Sequence, residues 1–236
     1  MQAVILAGGK GTRLKPFTVS LPKPLVPVGD YPIIEIIIRQ LAKQGFKEII
    51  ISTGHLAQLI QAYCGDGKRW GVAIRYVHED KPLDTAGSLK LIDGLADNFL
   101  VMNGDILTTL DYGALVREHQ AKGIAATTAT TIREVKIDFG VPAVNDDGFM
   151  NGYTEKPTYT FLVSMGVYVL SRSMVDLIQK NEAIGMPDLL LRAFNKGGKV
   201  FCHKSSCYWL DIGRLDDYER AQDEFNQRKR EFLIDE

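Results

Sequence analysis

Near the start of the chain, the apolar run Ala3-Val4-Ile5-Leu6 passes directly into Ala7-Gly8-Gly9-Lys10-Gly11-Thr12-Arg13. A short, unbroken apolar segment of this kind marks a strand buried on both faces, as in a parallel sheet. Glycines directly after it let the backbone turn sharply and bring its N–H groups close together. Parallel strands need helical crossovers between them, so this opening commits the chain to an α/β fold.

The first half has the required alternation. Apolar residues at helical spacing run over 31–44 and stop at Gly45, a C-cap position. Residues 48–52 form a β-branched strand pattern, 55–64 a second helix, 73–77 a strand, 85–95 a helix and 99–102 another strand. The second half is more mixed. Strand patterns occupy 125–133 and 142–153, the latter a hairpin turning at Asp146-Asp147-Gly148. A long strand follows over 161–170, a helix starts at 175–179, and another covers 186–194, ending near Gly197-Gly198. A last helix over 215–232 is so charged that its expected role is a solvated face. The apolar 33–38 run is expected in the core rather than at a homo-oligomer contact. No Pro/Ser-rich linker or repeat divides the chain. The expectation is one domain over 1–236, with a nucleotide-binding half over 1–110 and a substrate half over 111–236.

Composition narrows the function classes. A net charge of −1 gives no bulk attraction to nucleic acid or to a membrane surface, so any anion site must be local. The first apolar stretch is too short for a signal peptide or a membrane span, and three cysteines without a Cys-x-x-Cys pair imply a reduced, cytoplasmic setting. Cys202, His203 and Cys207 fit alternate strand positions better than a zinc site.

The chemistry gathers around the first turn. Gly8, Gly9 and Gly11 can aim backbone N–H groups at an anion, and Arg13 and Lys23 add two cations. That combination describes a polyphosphate cradle. It is neither of the two common phosphate loops, because Gly-x-x-x-x-Gly-Lys and Gly-x-Gly-x-x-Gly are both absent from it. Asp105, in Asn103-Gly104-Asp105, falls just beyond the strand at 99–102, where open α/β sheets bind ligands. A carboxylate beside a polyphosphate needs a cation between them, so Asp105 is a Mg²⁺ ligand candidate. Asp211, expected at another strand end of the same sheet, would share that cation. Lys156, fixed before Pro157, can clamp a phosphate as a point charge, and Glu155 can accept from sugar hydroxyls.

With these motifs in this order, the chain resembles the sugar-1-phosphate nucleotidylyltransferases, and in particular their short, mannose-1-phosphate guanylyltransferase-like members. The match carries Leu6 to Thr18, Pro22-Lys23-Pro24, Thr85-Ala86-Gly87, Asn103-Gly104-Asp105, Gly140, Glu155-Lys156-Pro157 and Trp209-Leu210-Asp211-Ile212-Gly213. The resemblance implies a Rossmann-like, mostly parallel sheet flanked by helices, of GT-A-like architecture, with a mixed β part for the sugar. It implies that Leu6, Ala7, Gly8, Gly9, Gly11, Thr12 and Arg13 hold the nucleotide and that Thr85, Ala86 and Gly87 lie near base or ribose. Lys23 would touch the phosphates at the reacting centre, with Arg13, Lys23 and Asp105 as catalytic groups. Asp105 and Asp211 would hold Mg²⁺, and Asn103, Gly140, Glu155 and Lys156 would grip the sugar phosphate. The implied substrates are an NTP and a sugar 1-phosphate.

For the base, Glu79 closes the strand near 77, and a carboxylate can accept from guanine N1–H and its 2-amino group together. That favours GTP. The Leu83-Asp84-Thr85-Ala86-Gly87 turn and Gly65-Asp66-Gly67 instead resemble uridylyltransferases for muramic-acid-type sugars. A glycosyltransferase would carry a second acidic residue two positions after Asp105, where Leu107 stands. A non-catalytic nucleotide-sugar sensor would lack metal-dependent pyrophosphate exchange.

Overall fold

The computed structural model describes residues 1–233. Its strands are β1 (Gln2–Ala7), β2 (Pro27–Val28), β3 (Tyr31–Pro32), β4 (Glu48–Thr53), β5 (Ala73–His78), β6 (Asn98–Asn103) and β7 (Ile106–Thr108). They continue with β8 (Ala126–Lys136), β9 (Val141–Val144), β10 (Met150–Thr154), β11 (Thr158–Ser171), β12 (Val200–Lys204) and β13 (Trp209–Asp211). The α-helices are α1 (Ile33–Lys43), α2 (Ala57–Cys64), α3 (Asp84–Gly87), α4 (Tyr112–Lys122), α5 (Met186–Asn195) and α6 (Leu215–Leu233).

Seven strands form one sheet in the order β12-β8-β11-β6-β1-β4-β5. All its neighbours run parallel except β11, which is antiparallel to both β6 and β8. The mostly parallel, helix-flanked sheet is the architecture the sequence implies. Alternate residues of the central strands face two separate cores. Val4, Ile50, Val101 and Leu170 pack with α5 and the 83–95 segment, while Ile5, Ile51, Met102 and Val169 pack with α1 and α6. Burial on both faces explains the unbroken apolar run in β1. The 33–38 run is core as expected, with Ile33, Ile34 and Ile36 to Ile38 buried.

Three expectations need correction. The helix expected over 85–95 is broken: α3 is a single turn and a 3₁₀ segment, Ser88–Leu91, follows it. The helix expected from 175 is instead a 3₁₀ segment, Arg172–Leu177. The charged last helix is not merely a solvated face, because Ala221, Phe225, Phe232 and Leu233 are buried on its inner side. Its Phe225 ring stacks on Phe232 and packs against Gly29, and Gln222 brackets the β2–β3 turn by accepting from Gly29 N–H and donating to the Pro27 carbonyl (both 2.8 Å). α4 was not anticipated from the sequence.

Candidate active site

Because β1, β4, β5 and β6 are parallel, their carboxyl ends lie along one edge of the sheet. The residues that leave those ends, Gly8, Gly54, Glu79 and Gly104, come together there. Gly104 donates to the Leu6 carbonyl (2.9 Å), and Glu79 donates its N–H to the Thr53 carbonyl (2.9 Å). The edge opens into a cavity of about 440 Å³.

The segment after β1 forms the cavity's upper wall. Gly11 takes φ +59°, a left-handed conformation that suits glycine, and begins a 3₁₀ turn over Thr12–Leu14. Thr18 Oγ1 donates to the Gly11 carbonyl (2.7 Å), and Leu14 is wholly buried beneath the turn. Arg13 is left exposed and directed toward Gly213, with Nη1 3.8 Å from where a Cβ on that glycine would stand. The Phe17 and Tyr218 rings, 5.2 Å apart, tie this segment to α6.

Asp105 and Asp211 form the floor. Asp211 does not come from the main sheet, contrary to expectation. Its strand, β13, pairs antiparallel with β7 in a separate two-stranded sheet, and Asp211 stands opposite Ile106. That register brings it beside Asp105, whose carbonyl accepts from Ile212 N–H (3.1 Å). The crowding has an electrostatic signature. Burial first, and then the Asp105 carboxylate, push the Asp211 carboxyl above the ordinary aspartate range, while Lys23 and Arg13 oppose the shift.

Lys23 is buried and ion-paired through Nζ to Asp105 Oδ2. The sequence placed Lys23 against phosphate; in the structure its partner is this carboxylate. Asp105 Oδ1 is buried and has no hydrogen-bond partner. A buried carboxylate oxygen without a partner, next to a second carboxylate, fits a hard divalent cation. Among the described residues no cluster of three or more His, Cys, Asp and Glu side chains could hold a metal, so substrate oxygens or water would complete the coordination.

The opposite wall holds Glu79, Pro82, Asp84 and Thr85. Glu79 is fixed at both oxygens: Oε1 accepts from Ser52 Oγ (2.8 Å) and Oε2 from Leu83 N–H (3.1 Å). Its carboxylate lies against Gly8, where a Cβ would come within 2.8 Å of Oε1.

Of the residues singled out in the sequence, Leu6, Ala7, Gly8, Gly9, Gly11, Thr12, Arg13, Lys23, Glu79, Thr85, Asn103, Asp105 and Asp211 line this one cavity. Ala86 and Gly87 are buried behind Thr85 and do not line it. Gly140, Glu155 and Lys156 are also outside its walls. They sit where the β9–β10 hairpin joins β8 and β11, with Gly140 tight against the Tyr153 hydroxyl and Glu155 Oε2. Pro82, on the wall, falls in none of the sequence motifs. Pro24, Asp84, Gly104 and Gly213, which stand within the motifs but are assigned to no ligand, also line the cavity.

Asn103 owes its position to a bulge in β11. The register with β8 shifts between Ser164 and Tyr168, and within that shift Gly166 adopts φ +71°. A Cβ there would lie 2.7 Å from Asn103 Nδ2. Trp209 Nε1 donates to the neighbouring Met165 carbonyl (2.8 Å), linking the bulge to β13 and so to Asp211.

The nucleotidyl transferase family model matches residues 2–228. A UTP–glucose-1-phosphate uridylyltransferase from Synechocystis sp. is 34% identical over 94% of this chain and 62% of its own length. A mannose-1-phosphate guanylyltransferase from Mycobacterium tuberculosis is 30% identical over 94% of the chain and 63% of its own length. This chain therefore spans somewhat under two thirds of these curated relatives. The crystal structure of HddC from Yersinia pseudotuberculosis complexed with GMP-PN superposes with a TM-score of 0.71 at 26% identity, covering 95% of this chain and 99% of that one. The family is generally dependent on a divalent metal. With its family's model matched across nearly its whole length, this chain belongs to the nucleotidyl transferases, the family of the sugar-1-phosphate nucleotidylyltransferases.

Proposed function

We propose that this chain transfers a nucleotidyl group from an NTP, with GTP preferred, to a sugar 1-phosphate, yielding an NDP-sugar and pyrophosphate. The observation that carries the reading is the convergence of the glycine turn and Arg13 with Asp105 and Asp211 in one cavity. A site that concentrates backbone donors, a guanidinium and two adjacent carboxylates suits a polyphosphate together with Mg²⁺. Asp105 and Asp211 would hold Mg²⁺, which would neutralise phosphate charge when bound.

In the reaction, an oxygen of the sugar 1-phosphate attacks the α-phosphorus in line. The bond from that phosphorus to the β-phosphate oxygen breaks, and pyrophosphate leaves. A phosphate monoester, with a second pKa of about 6, is already largely dianionic near neutrality, so the chain need not supply a general base. Its work is positioning and charge neutralisation. The N–H groups of Gly8, Gly9 and Gly11 and the Arg13 guanidinium would hold the triphosphate. Lys23 fixes the orientation of Asp105.

Adjacent strands lie about 4.8 Å apart, so the row from β6 to β5 spans roughly 14 Å, room for a nucleotide laid across the strand ends. That layout would put the base on the Glu79–Thr85 wall, away from Asp105. Glu79 would then accept from guanine, and the HddC complex with GMP-PN supports a guanine nucleotide. UTP is the second reading, supported by the 34% identity to a uridylyltransferase. Gly140, Glu155 and Lys156 would meet the sugar phosphate from the second half of the chain. The cytoplasm, where NTPs and phosphosugars are made, is the proposed setting. Among the described residues no helix is long and apolar enough to cross a membrane.

Pyrophosphate release with Mg²⁺, across five NTPs and a panel of hexose, hexosamine, muramic-acid and heptose 1-phosphates, tests the reading. One dominant pair supports it. A silent panel together with retained NTP binding points to a nucleotide sensor instead.

A further inference from the structure

Beyond the main sheet, β8 and β11 run on as a two-stranded ribbon. Strand β12 pairs with β8 only as far as Thr130, and β6 pairs with β11 only from Val167 onward. Among the described residues, 131–136 and 158–163 pair only with each other, from Thr131 opposite Val163 to Lys136 opposite Thr158. The β9–β10 hairpin lies between these two segments in the chain, so residues 131–164 form one arm. A two-stranded ribbon is marginal in water by itself and needs further strands or a packed face.

The arm also carries an unusual share of the exposed apolar surface. Of eighteen exposed large hydrophobic residues among those described, ten fall within it, with Phe139 78% and Phe149 73% exposed. At roughly 100 Å² for a half-exposed large side chain, the ten present on the order of 1,000 Å². The largest apolar patch of an ordinary monomer is about 300–600 Å². A standard protein interface buries about 800 Å² on each partner, so the arm has the area for one.

Polarity in the ribbon runs from edge to edge rather than from face to face. Strand β8 contributes Arg133, Glu134 and Lys136, whereas β11 contributes Tyr159, Phe161 and Leu162 and no charge over 158–163. Charges on an outer strand guard it against pairing with another chain, and an uncharged aromatic and β-branched edge invites it. Tyr159 and Phe161 share one face, their rings 6.5 Å apart, and Leu162 belongs to the other. Contact along the β11 edge is what reaches both faces at once. A strand laid antiparallel beside its own copy is related to it by a two-fold axis, the commonest closed symmetry of homo-oligomers.

We propose that the open edge of β11 at residues 158–163 pairs antiparallel with the same edge of a second copy of this chain. The product is a four-stranded sheet with both β11 strands inside and both charged β8 strands outside. Aromatic side chains of the two copies then meet across the two-fold axis. None of residues 158–163 lines the cavity, so the inference stands whether or not the chain transfers nucleotides.

The test is analytical ultracentrifugation of the wild type, Tyr159→Lys/Phe161→Lys, Thr160→Lys and Phe194→Ser, with circular dichroism to check that each is folded. The wild type is expected at twice the chain mass, with a dimer Kd of about 1 µM or lower, the weak end for a standard interface. The double variant loses two aromatic anchors and gains like charges on the edge, so its Kd rises at least about a hundredfold. Thr160 is already exposed and stands mid-edge, so a lysine there lies close to its own copy and raises the Kd about tenfold. Phe194→Ser removes an exposed ring on α5, outside the arm, and leaves the mass unchanged. A monomeric wild type overturns the inference, as does a dimer that both edge variants leave intact. So does a dimer that Phe194→Ser dissociates as fully as they do, or a mass that climbs past two copies with concentration. If the double variant is unfolded, Thr160→Lys decides alone.

Discussion

Replacing Lys23 with methionine removes the ammonium paired with Asp105 and keeps the length and packing of the side chain. Lys23 and Asp105 expose only 11% and 23% of their side chains. Asp105 Oδ1 is already buried without a partner, and Asp211 is near enough for its pKa to feel the Asp105 charge. In Lys23→Met, the partly buried Asp105 carboxylate would lose its partner beside a second carboxylate, Asp211. Breaking a buried pair by removing one partner costs about 3–5 kcal/mol, and the residual exposure of Asp105 favours the lower figure, about 3 kcal/mol. For a chain of this size that is a melting temperature lower by roughly 6–12 °C. The sign of its pH dependence follows from Asp211. Burial and Asp105 raise its pKa, and Lys23 is among the groups that lower it, so removing Lys23 raises it further. A carboxyl raised in the folded state costs stability above its folded pKa and nothing below its unfolded value of about 4. The deficit against wild type should therefore be greatest near pH 8 and close as pH falls toward about 4. Thermal denaturation across that range measures it, alongside the double variant Lys23→Met/Asp105→Asn, which should recover most of the loss. A deficit independent of pH, or a double variant as unstable as the two single losses added, would refute the reasoning.

Asp105→Asn should preserve the fold and remove most turnover, measured as pyrophosphate release; wild-type activity would dismiss the metal role. Because the Asp211 carboxyl titrates higher than an ordinary aspartate and must be ionised to hold a cation, Mg²⁺ affinity should fall as pH is lowered, by calorimetry between pH 8 and 5. Gly166→Ala forces a side chain into a left-handed backbone and against the Asn103 amide, so it should cost about 1–2 kcal/mol and lower turnover. A melting temperature and rate both equal to wild type would clear the bulge of any role. Gly140→Ala would put a Cβ 1.8 Å from the Tyr153 hydroxyl oxygen. It should raise KM for the sugar phosphate while leaving KM for the NTP unmoved, and the reverse pattern would relocate the sugar site.

The parts of the fold legible in the sequence are those where a single periodicity decides. β1, β4 and β6 carry unbroken β-branched or apolar runs, and α1 places its isoleucines on an inward face. α4 escaped because its buried positions include Gly113 and His119, whose ring bonds to Thr127 and Asn98 instead of joining an apolar stripe. α6 was misjudged because four buried side chains among nineteen residues are outvoted by its charges, although they fix its packing. The cavity residues were legible where glycine or acidic motifs follow strands. Asp211 is legible as a motif residue, but its two-stranded sheet is not, since β7 and β13 are only three residues each. The Lys23–Asp105 pair depends on a contact between distant segments, which no local pattern encodes.

The antiparallel strand β11 has a consequence for how the chain reaches this state. Strand β6 is paired with β1 on one side, while its other side is closed by residues 167–171, paired with Met102 to Asn98 and so roughly 70 positions further along the chain. Leu100, Val101 and Met102, wholly buried in the finished sheet, stand at an open apolar edge until β11 arrives. A nascent chain that has just released the glycine turn and Asp105 from the ribosome therefore holds most of the cavity's lining but cannot yet seal the sheet behind it. Fragments stopping near residue 125 should associate through that edge rather than persist as small folded modules, and the cavity's completion is tied to synthesis of the half proposed to meet the sugar phosphate.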